Sequence, residues 1–256
     1  MTNANPCGMK AFILAAGRGE RMRPLTDYTP KPLLEAGGKP LIVWHLERLA
    51  ASGFREVIIN HAHLGDRIEA ALGDGRRFGL DIRYSPEPPG ALETAGGIAH
   101  ALPLLGDAAF LVVNGDVWCD WDFRRALALR DRVAHLVFVA NPQQHAGGDF
   151  CLEGETVRYA SSGIGPTLTY AGTGVFSPAF FATVPRGAIM KLRPLLDAGI
   201  ADSVVTGERH AGRWVDVGTP KRLVELDREL IRELTQEQKP MKLKRRYDDD
   251  RKPYED

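Results

Sequence analysis

The first half of the chain alternates short apolar runs with segments whose apolar residues recur at helical spacing. Residues 10–16 form such a run, and Gly17-Arg18-Gly19 interrupts it at once. This pattern is typical of a buried strand that ends in a glycine-rich loop. The patterns predict further strands over 56–60, 82–84 and 110–114, and helices over 41–52, 68–72 and 96–105. Such alternation predicts right-handed βαβ units in an α/β protein with a doubly wound, mostly parallel sheet.

From residue 131 the pattern changes to short strand-like pieces that glycine and proline separate. The pieces lie at 134–140, 149–152, 156–159 and 167–176, and helical patterns follow at 189–196 and 220–234. We interpret them as a smaller, β-rich lobe and a C-terminal helix that packs on the sheet. We therefore expect one domain over 9–235, with parts at about 9–130, 131–219 and 220–235, and flexible termini at 1–8 and 236–256.

Composition and charge restrict the classes of function. The chain has 33 basic and 33 acidic residues, which gives no electrostatic reason to expect a nucleic-acid or membrane surface. Its three cysteines, Cys7, Cys119 and Cys151, are too widely spaced for a disulfide framework or a zinc motif. The first eight residues do not have the pattern of a signal peptide. We expect a cytoplasmic protein that acts on small molecules and binds neither nucleic acid nor membranes.

The segment 14–26, closed by 29–33, has the chemistry of a phosphate-binding loop. Glycines allow backbone amides to approach phosphate oxygens closely, and Arg21 adds charge-assisted donors. Lys31 stands between two prolines that hold the backbone extended and so direct its ammonium group. The loop lacks the Lys-Ser or Lys-Thr of a Walker loop, and Met22 stands where the dinucleotide fingerprint needs glycine. The alternative is a turn with solvated basic residues.

Two aspartates follow predicted strands and are candidate metal ligands. Asp116 follows the strand over 110–113, and Asp216 precedes Gly218-Thr219-Pro220, a helix start. Mg²⁺ prefers one or two carboxylates together with phosphate oxygens and water, so this pair would suit it. For each aspartate alone, a helix cap or a turn is the alternative. His61 and His63 share one face of an extended segment, but they lack a third ligand that would indicate a metal site.

Together these motifs resemble the sugar-1-phosphate nucleotidyltransferases over about residues 9–230. The family signature Leu-Ala-Ala-Gly-x-Gly-x-Arg-Met followed by Pro-Lys-Pro stands at 14–22 and 30–32, whereas residues 1–8 and the charged tail have no counterpart. The resemblance implies a Rossmann-like sheet of the nucleotidyltransferase type with a sugar-binding β-rich lobe. The branch that uridylylates N-acetylmuramic acid 1-phosphate is the most similar, through residues 60–65, 84–87, 92–97, 114–118, 148–150 and 214–219.

The resemblance implies an activity and its substrates. A sugar-phosphate oxygen attacks the α-phosphorus of UTP, so that N-acetylmuramic acid 1-phosphate becomes UDP-N-acetylmuramic acid and pyrophosphate leaves, as a step of peptidoglycan recycling. Mannose-1-phosphate guanylyltransferase, a glucose 1-phosphate thymidylyl- or uridylyltransferase and a non-catalytic nucleotide-sugar sensor remain alternatives. The substrates are thus a nucleoside triphosphate and a sugar 1-phosphate, and the assembly is a monomer or a homodimer.

The resemblance also implies the roles of individual residues. Arg21, Lys31 and Asp116 are catalytic, with Arg21 on the leaving pyrophosphate and Lys31 near the α-phosphate; Asp116 and Asp216 hold Mg²⁺. Arg193 is a candidate contact for the lactyl carboxylate of the sugar. The nucleotide is bound by Ala15, Ala16, Gly17, Gly19, Glu20, Arg21, Lys31, Tyr84, Ser85, Glu93 and Gly96, and the sugar by Asn114, Gly148, Asp149 and Gly172.

Overall fold

A nine-stranded sheet organises the protein in a computed structural model that describes residues 8–163 and 165–237. In these ranges the strands are β1 (Lys10–Leu14), β2 (Glu35–Ala36), β3 (Lys39–Pro40), β4 (Glu56–His61), β5 (Asp81–Pro86), β6 (Phe110–Asn114), β7 (Val117–Cys119), β8 (Ala134–Ala140), β9 (Phe150–Glu153), β10 (Thr156–Tyr159), β11 (Leu168–Phe176), β12 (Val205–Arg209) and β13 (Trp214–Asp216). The helices are α1 (Leu25–Tyr28), α2 (Leu41–Ala51), α3 (Gly65–Leu72), α4 (Glu93–Leu105), α5 (Leu192–Ala201) and α6 (Pro220–Glu237).

The strand order of the large sheet is β5-β4-β1-β6-β11-β8-β12-β10-β9. Strands β5, β4, β1 and β6 are parallel, whereas β11 is antiparallel to both β6 and β8. Among the nine strands, β10 and β11 run in the opposite direction to the others. The predicted α/β class with a mostly parallel sheet is therefore confirmed, and the strands of the predicted β-rich lobe continue the same sheet.

Two hydrophobic cores cover the two faces of the sheet, and β1 contributes to both. Ala11 and Ile13 pack in one core with α2 and α3, whereas Phe12 packs in the other with α4 and α5. This division follows from the alternation of side chains along a strand. Because both faces are covered, the strand is apolar from Ala11 to Leu14 and shows no alternation with polar residues there.

A smaller unit packs beside the sheet and holds the C-terminal helix. Strands β7 and β13 form an antiparallel ribbon that pairs Cys119 with Trp214 and Val117 with Asp216. Helix α6 packs through Leu223, Leu226 and Leu230 in a third core, which also contains the residue Met22 of the glycine-rich loop. The ribbon and α6 thereby place Asp216 beside the loop that follows β1.

The predicted elements differ from the structure mainly at their ends. Helix α4 begins three residues before the predicted position, and the predicted helix over 189–196 is α5 at 192–201. Strand β12 was not predicted, because it is short and half-polar and because Gly207 interrupts its pattern. Of the helices in residues 8–163 and 165–237, none combines the length and the apolar character that a membrane span requires. Of the predicted flexible termini, 1–8 and 236–256, residues 1–7 and 238–256 lie outside the described residues, and residues 236–237 belong to α6.

Candidate active site at the carboxyl edge of the sheet

Three neighbouring parallel strands end together at one edge of the sheet. Leu14 of β1 is in register with Asn60 of β4 on one side and with Asn114 of β6 on the other. Ligands of open α/β sheets bind beyond the carboxyl ends of such strands. A cleft of about 460 Å³ opens at this edge. It is lined by Leu14, Ala15, Ala16, Gly17, Arg18, Gly19, Glu20, Arg21, Met22, Lys31, Pro32, Asn60, Glu87, Gly90, Ala91, Glu93, Thr94, Asn114, Asp116 and Gly218.

The glycine-rich loop folds into a tight turn after β1. Gly19 has a φ of 71°, in the left-handed region, and a Cβ there would lie 2.9 Å from the Thr26 Cγ2 atom. Only glycine therefore fits without displacing α1. The Thr26 hydroxyl donates to the Gly19 carbonyl at 2.9 Å, which fixes the turn. Apart from the chain neighbours of Gly17, no atom of the described residues lies within 4 Å of its Cβ position, so the backbone there is open to a ligand.

Two of the three arginines in this loop pair with Asp27, whereas the third, Arg21, lies in the cleft wall. Arg18 donates to the Thr26 carbonyl and to the Asp27 carboxylate, both at 2.8 Å. These contacts, chiefly the hydrogen bond from Arg18, lower the pKa of Asp27. Arg23 also pairs with Asp27, at 2.9 Å. Arg21 is exposed in the cleft wall and makes no ion pair with any residue in 8–163 or 165–237. Its guanidinium therefore remains available to an anionic ligand.

Lys31 crosses from the loop to the end of β6. Its ammonium group lies 2.5 Å from Asp116 Oδ2, and the Lys31 side chain is 9% exposed whereas that of Asp116 is 36% exposed. Pro30 holds the preceding backbone extended, and a short 3-10 helix over Lys31–Leu33 follows. The lysine is thus fixed against a carboxylate that faces the cleft. Lys31 and Asp116, both predicted as catalytic residues, thus lie in contact.

Asp216 lies beside Asp116 because the ribbon brings their segments together. The Val217 amide donates to the Asp116 carbonyl at 3.0 Å, one residue beyond the pairing of Asp216 with Val117. Arg222 of α6 donates to Asp216 Oδ2 at 2.6 Å. A Cβ on Gly218 would lie 3.0 Å from Arg21 Nη2 and 3.1 Å from Asp216 Oδ1, so these two groups flank the same glycine. Asp216 itself does not line the cleft but stands next to its wall.

A buried network that was not predicted from the sequence joins two segments that line the cleft. Asn60 Oδ1 accepts from the Ala15 amide at 2.7 Å, and Asn60 Nδ2 donates to Glu87 Oε1 at 2.6 Å. The other Glu87 oxygen accepts from the Leu92 amide at 2.8 Å. Asn60 is buried and Glu87 is 9% exposed. The network therefore connects the glycine-rich loop to the segment that carries Glu93.

The signal for this network was visible in the sequence but ambiguous. Asn60 is a polar residue at the end of an apolar strand, and Glu87 lies in a proline-rich segment that was assigned only as part of a resemblance. The segment after it is conformationally strained, because Ala91 and Glu93 have φ values of 60° and 61°. A buried carboxylate that accepts two hydrogen bonds is a means to hold such a segment in place.

Replacing Glu87 by glutamine should raise the KM for the nucleotide more than it lowers kcat. Glutamine keeps the size of the side chain but cannot accept from both Asn60 and Leu92 through a charged carboxylate. Hydrogen bonds to charged groups contribute about 1.5–3 kcal/mol, so kcat/KM for the nucleotide should fall roughly tenfold to a hundredfold. Initial rates at varied nucleotide concentration measure this effect. The control is Glu56→Gln, which removes a partly exposed pair with Lys10 at 3.3 Å and should leave KM unchanged.

On the predicted sugar side, Asn114 and Gly172 meet. A Cβ on Gly172, where φ is 73°, would lie 2.7 Å from Asn114 Nδ2, so the asparagine packs on bare backbone of β11. Asp149 lies outside the cleft lining and is tied to the same strand, since its Oδ2 accepts from the Tyr170 amide at 2.8 Å. Gly148 also lies outside the lining and packs against Asn141. Asn114 is thus the predicted sugar residue that the structure places in the cleft wall.

Several other predicted site residues do not line the cleft. Tyr84 donates from its hydroxyl to the Gly73 carbonyl at 2.6 Å, and burial raises its pKa to about 12. Ser85 is buried in β5. The Gly96 amide donates to the Met190 carbonyl at 3.1 Å, so it is used within the protein. Arg193 pairs with Asp197 at 2.7 Å and lies over the Phe150 ring.

The two histidines after β4 have separate partners. The His61 ring contacts Glu69 Oε1 at 2.7 Å, and the His63 ring contacts the Thr26 carbonyl at 2.9 Å. Each ring therefore supports a neighbouring loop or helix. Of the four tryptophans, Trp121 is buried, whereas Trp44, Trp118 and Trp214 are partly buried and pack against the cores.

Comparisons with known proteins agree with this geometry. The family model described as nucleotidyl transferase matches residues 10–150. The N-acetylmuramate alpha-1-phosphate uridylyltransferase of Neisseria meningitidis serogroup B is 55% identical over 223 residues, which cover 85% of this chain and 96% of the relative. The enzyme of the same name from Caulobacter vibrioides is 36% identical over 230 residues, which cover 82% of this chain and 92% of the relative.

Among solved structures, a putative glucose-1-phosphate thymidylyltransferase from Bacillus anthracis superposes with a TM-score of 0.76. The alignment covers 87% of this chain and 95% of that chain at 20% identity, which shows that the fold is shared. The predicted family resemblance is therefore confirmed. The chain belongs to the nucleotidyl transferase family and is a sugar-1-phosphate nucleotidyltransferase similar to the N-acetylmuramate alpha-1-phosphate uridylyltransferases.

Proposed function

We propose that the protein transfers a uridylyl group from UTP to N-acetylmuramic acid 1-phosphate, giving UDP-N-acetylmuramic acid and pyrophosphate, in peptidoglycan recycling. The chemistry is supported by one observation, namely that Arg21, Lys31 and Asp116 line one cleft while Asp216 stands beside its wall. The substrates are supported by the relatives of that name, which match over most of both chains.

The two aspartates suit Mg²⁺. In the described part of the chain, the side-chain hydrogen bonds of Asp116 and Asp216 each engage Oδ2, with Lys31 and Arg222 respectively. Each carboxylate therefore keeps a second oxygen for a ligand. Hard carboxylate oxygens are the protein ligands that Mg²⁺ prefers. When bound, the ion would offset the negative charge of the phosphates and help to orient them.

The reaction is an in-line displacement at the α-phosphorus of UTP. An oxygen of the sugar 1-phosphate forms the new P–O bond, the bond to the β-phosphate oxygen breaks, and the electron pair leaves with pyrophosphate. No protein nucleophile takes part, so the residues act by positioning and by charge neutralisation. Lys31 lies where it offsets charge near the α-phosphate, because it is fixed against Asp116. Arg21, which is exposed in the cleft, stabilises the departing pyrophosphate.

Different residues of the cleft lining are available to contact the base and the sugar. The open backbone at Gly17 suits the phosphates, and the segment of Glu93 and Thr94 lies across the cleft where it can contact the base. Asn114 ends β6 beside Asp116 and can hold sugar hydroxyls through its amide. Glu93 therefore acts on base selection and Asn114 on sugar selection, with the reacting phosphates between them.

A competition experiment tests the proposal. The enzyme is given UTP with N-acetylmuramic acid 1-phosphate and GTP with mannose 1-phosphate in one reaction with Mg²⁺, and mass spectrometry identifies the nucleotide sugars. We expect UDP-N-acetylmuramic acid to dominate, because a site that hydrogen-bonds its substrate strongly rejects an analogue that leaves its polar groups unpaired. Dominant GDP-mannose would overturn the proposed substrates. Absence of pyrophosphate release with every pair would overturn catalysis itself.

A further inference from the structure

A second cluster of metal-ligating side chains lies at the far end of the β7–β13 ribbon from the predicted magnesium ligands. The Sγ atom of Cys119, a carboxylate oxygen of Asp120 and a ring nitrogen of His210 all lie within 4.8 Å of one another. Cys119 ends β7, and Asp116 immediately precedes the same strand. His210 follows β12 and is distant from the other two in sequence. A spacing motif could not reveal this cluster, which forms only when the ribbon meets the large sheet.

Backbone contacts hold each of the three residues in place. Cys119 pairs with Trp214 across the ribbon, and the Asp120 amide donates to the Arg213 carbonyl at 3.1 Å. The His210 amide donates to the Phe138 carbonyl of β8 at 2.7 Å. The His210 Nε2 atom lies 2.6 Å from Asp120 Oδ1. A Cβ at Gly212 would collide with both Asp120 Oδ1 and the His210 ring, so a bare backbone position leaves room for this pair.

The chemistry of the three groups favours a different metal from the one at the active site. Thiolate and imidazole are the ligands of Zn²⁺, with carboxylate as a third, whereas Mg²⁺ takes oxygen ligands. The Cys119 residue is 2% exposed, but the Asp120 side chain is 46% exposed, so the cluster is buried on one side and open on the other. Three protein ligands with an open side leave a fourth tetrahedral position for water.

Burial raises the pKa of the Cys119 thiol to about 11, while the nearby Arg48 charge opposes that rise. The other described free cysteine, Cys151, is also buried but hydrogen-bonds to the Tyr159 carbonyl at 3.3 Å and contacts the Ser162 hydroxyl. Cys151 thus provides a matched control thiol without a histidine and a carboxylate at ligand distance.

We propose that Cys119, Asp120 and His210 form a site for Zn²⁺ that is separate from the active site. A metal here links the ribbon that carries Asp116 and Asp216 to the end of β12. It stabilises the folded protein, because an ion that binds only the folded state shifts the unfolding equilibrium.

Cobalt is the spectroscopic probe for this site. Co²⁺ is titrated into the 256-residue chain carrying Cys7→Ser, so that Cys119 and Cys151 are its remaining thiols, and the thiolate-to-cobalt charge-transfer absorption is recorded. Zn²⁺ is then added to displace the cobalt. We expect one equivalent of Co²⁺ to give the charge-transfer band and tetrahedral visible bands, and Zn²⁺ to remove both. Thermal unfolding with and without Zn²⁺ should show an increase in Tm with the metal.

Matched variants decide the ligand assignment. Cys151→Ser should keep the bands, Cys119→Ser should lose the charge-transfer band, and His210→Ala should weaken cobalt binding by at least about tenfold. The His210 side chain is partly exposed, so the variant His210→Ala tests the site if Cys119→Ser fails to fold. The proposal is overturned if the band depends on Cys151, if His210→Ala binds as tightly as the parent, or if Co²⁺ gives no charge-transfer band. A Tm that responds equally to Zn²⁺ in His210→Ala would also overturn it.

Discussion

Asparagine in place of Asp116 or Asp216 should reduce kcat by about 10²–10³-fold at saturating substrates, while the protein stays folded. Each change keeps the shape of the side chain but removes a negative charge at the position where we expect Mg²⁺. The two residues lie on adjacent segments, since Val217 donates to the Asp116 carbonyl. Loss of either one should therefore have an effect of the same order. Pyrophosphate release at several Mg²⁺ concentrations measures the change.

The control for both variants is Asp202→Asn, an exposed carboxylate at the end of α5 that does not line the cleft. It should have the parent rate at every Mg²⁺ concentration. The aspartate variants should require more Mg²⁺ for half-maximal rate, because one anionic ligand remains. Near-normal rates for either variant at limiting Mg²⁺ would show that the two carboxylates do not hold the ion.

The sequence was sufficient to predict the parallel half of the fold and several residues that line the cleft. Apolar runs such as residues 110–114 are long enough to identify a strand, and the carboxyl-edge rule then places Asn114 and Asp116 near Gly17 and Gly19. These are local patterns combined with one rule of α/β topology. No information about distant packing was needed.

What could not be predicted depends on contacts between distant segments. The Glu87–Asn60 network exists because the segment after β5 meets the end of β4 at the edge of the sheet. Tyr84 is a residue whose side-chain direction the sequence did not reveal. It was predicted in the nucleotide site, but its hydroxyl is bonded to the Gly73 carbonyl outside the cleft lining. A strand residue faces one side or the other according to register, and a motif does not state which.

The position of His210 was also not predictable, because it depends on strand β12. Because Gly207 and polar neighbours hide the strand in the sequence, the position of the residue after it could not be inferred. The parallel pairing of β12 with β8 brings His210 to the ribbon and to Asp120. The cluster with Cys119 is therefore a product of tertiary structure.

Alanine in place of Arg21 should lower kcat/KM by about 10²–10³-fold, a few kcal/mol of lost transition-state stabilisation, and leave Tm nearly unchanged. The kinetic effect is large because charge accumulates on the leaving pyrophosphate and Arg21 is a preorganised donor in the cleft wall. The stability effect is small because Arg21 makes no ion pair within residues 8–163 and 165–237. Initial rates and thermal unfolding measure the two quantities separately.

Arg23→Ala is the matched control, since Arg23 lies two residues away and pairs with Asp27 at 2.9 Å outside the cleft lining. That variant should keep its rate and nearly the parent Tm, because an exposed ion pair contributes little to stability. If Arg21 bound the ground-state triphosphate only, its loss would raise KM without changing kcat, because binding that is equal in the ground state and the transition state does not accelerate the reaction. A fall in kcat of the expected size therefore distinguishes stabilisation of the leaving group from simple attraction, and parent kinetics in Arg21→Ala would exclude both roles.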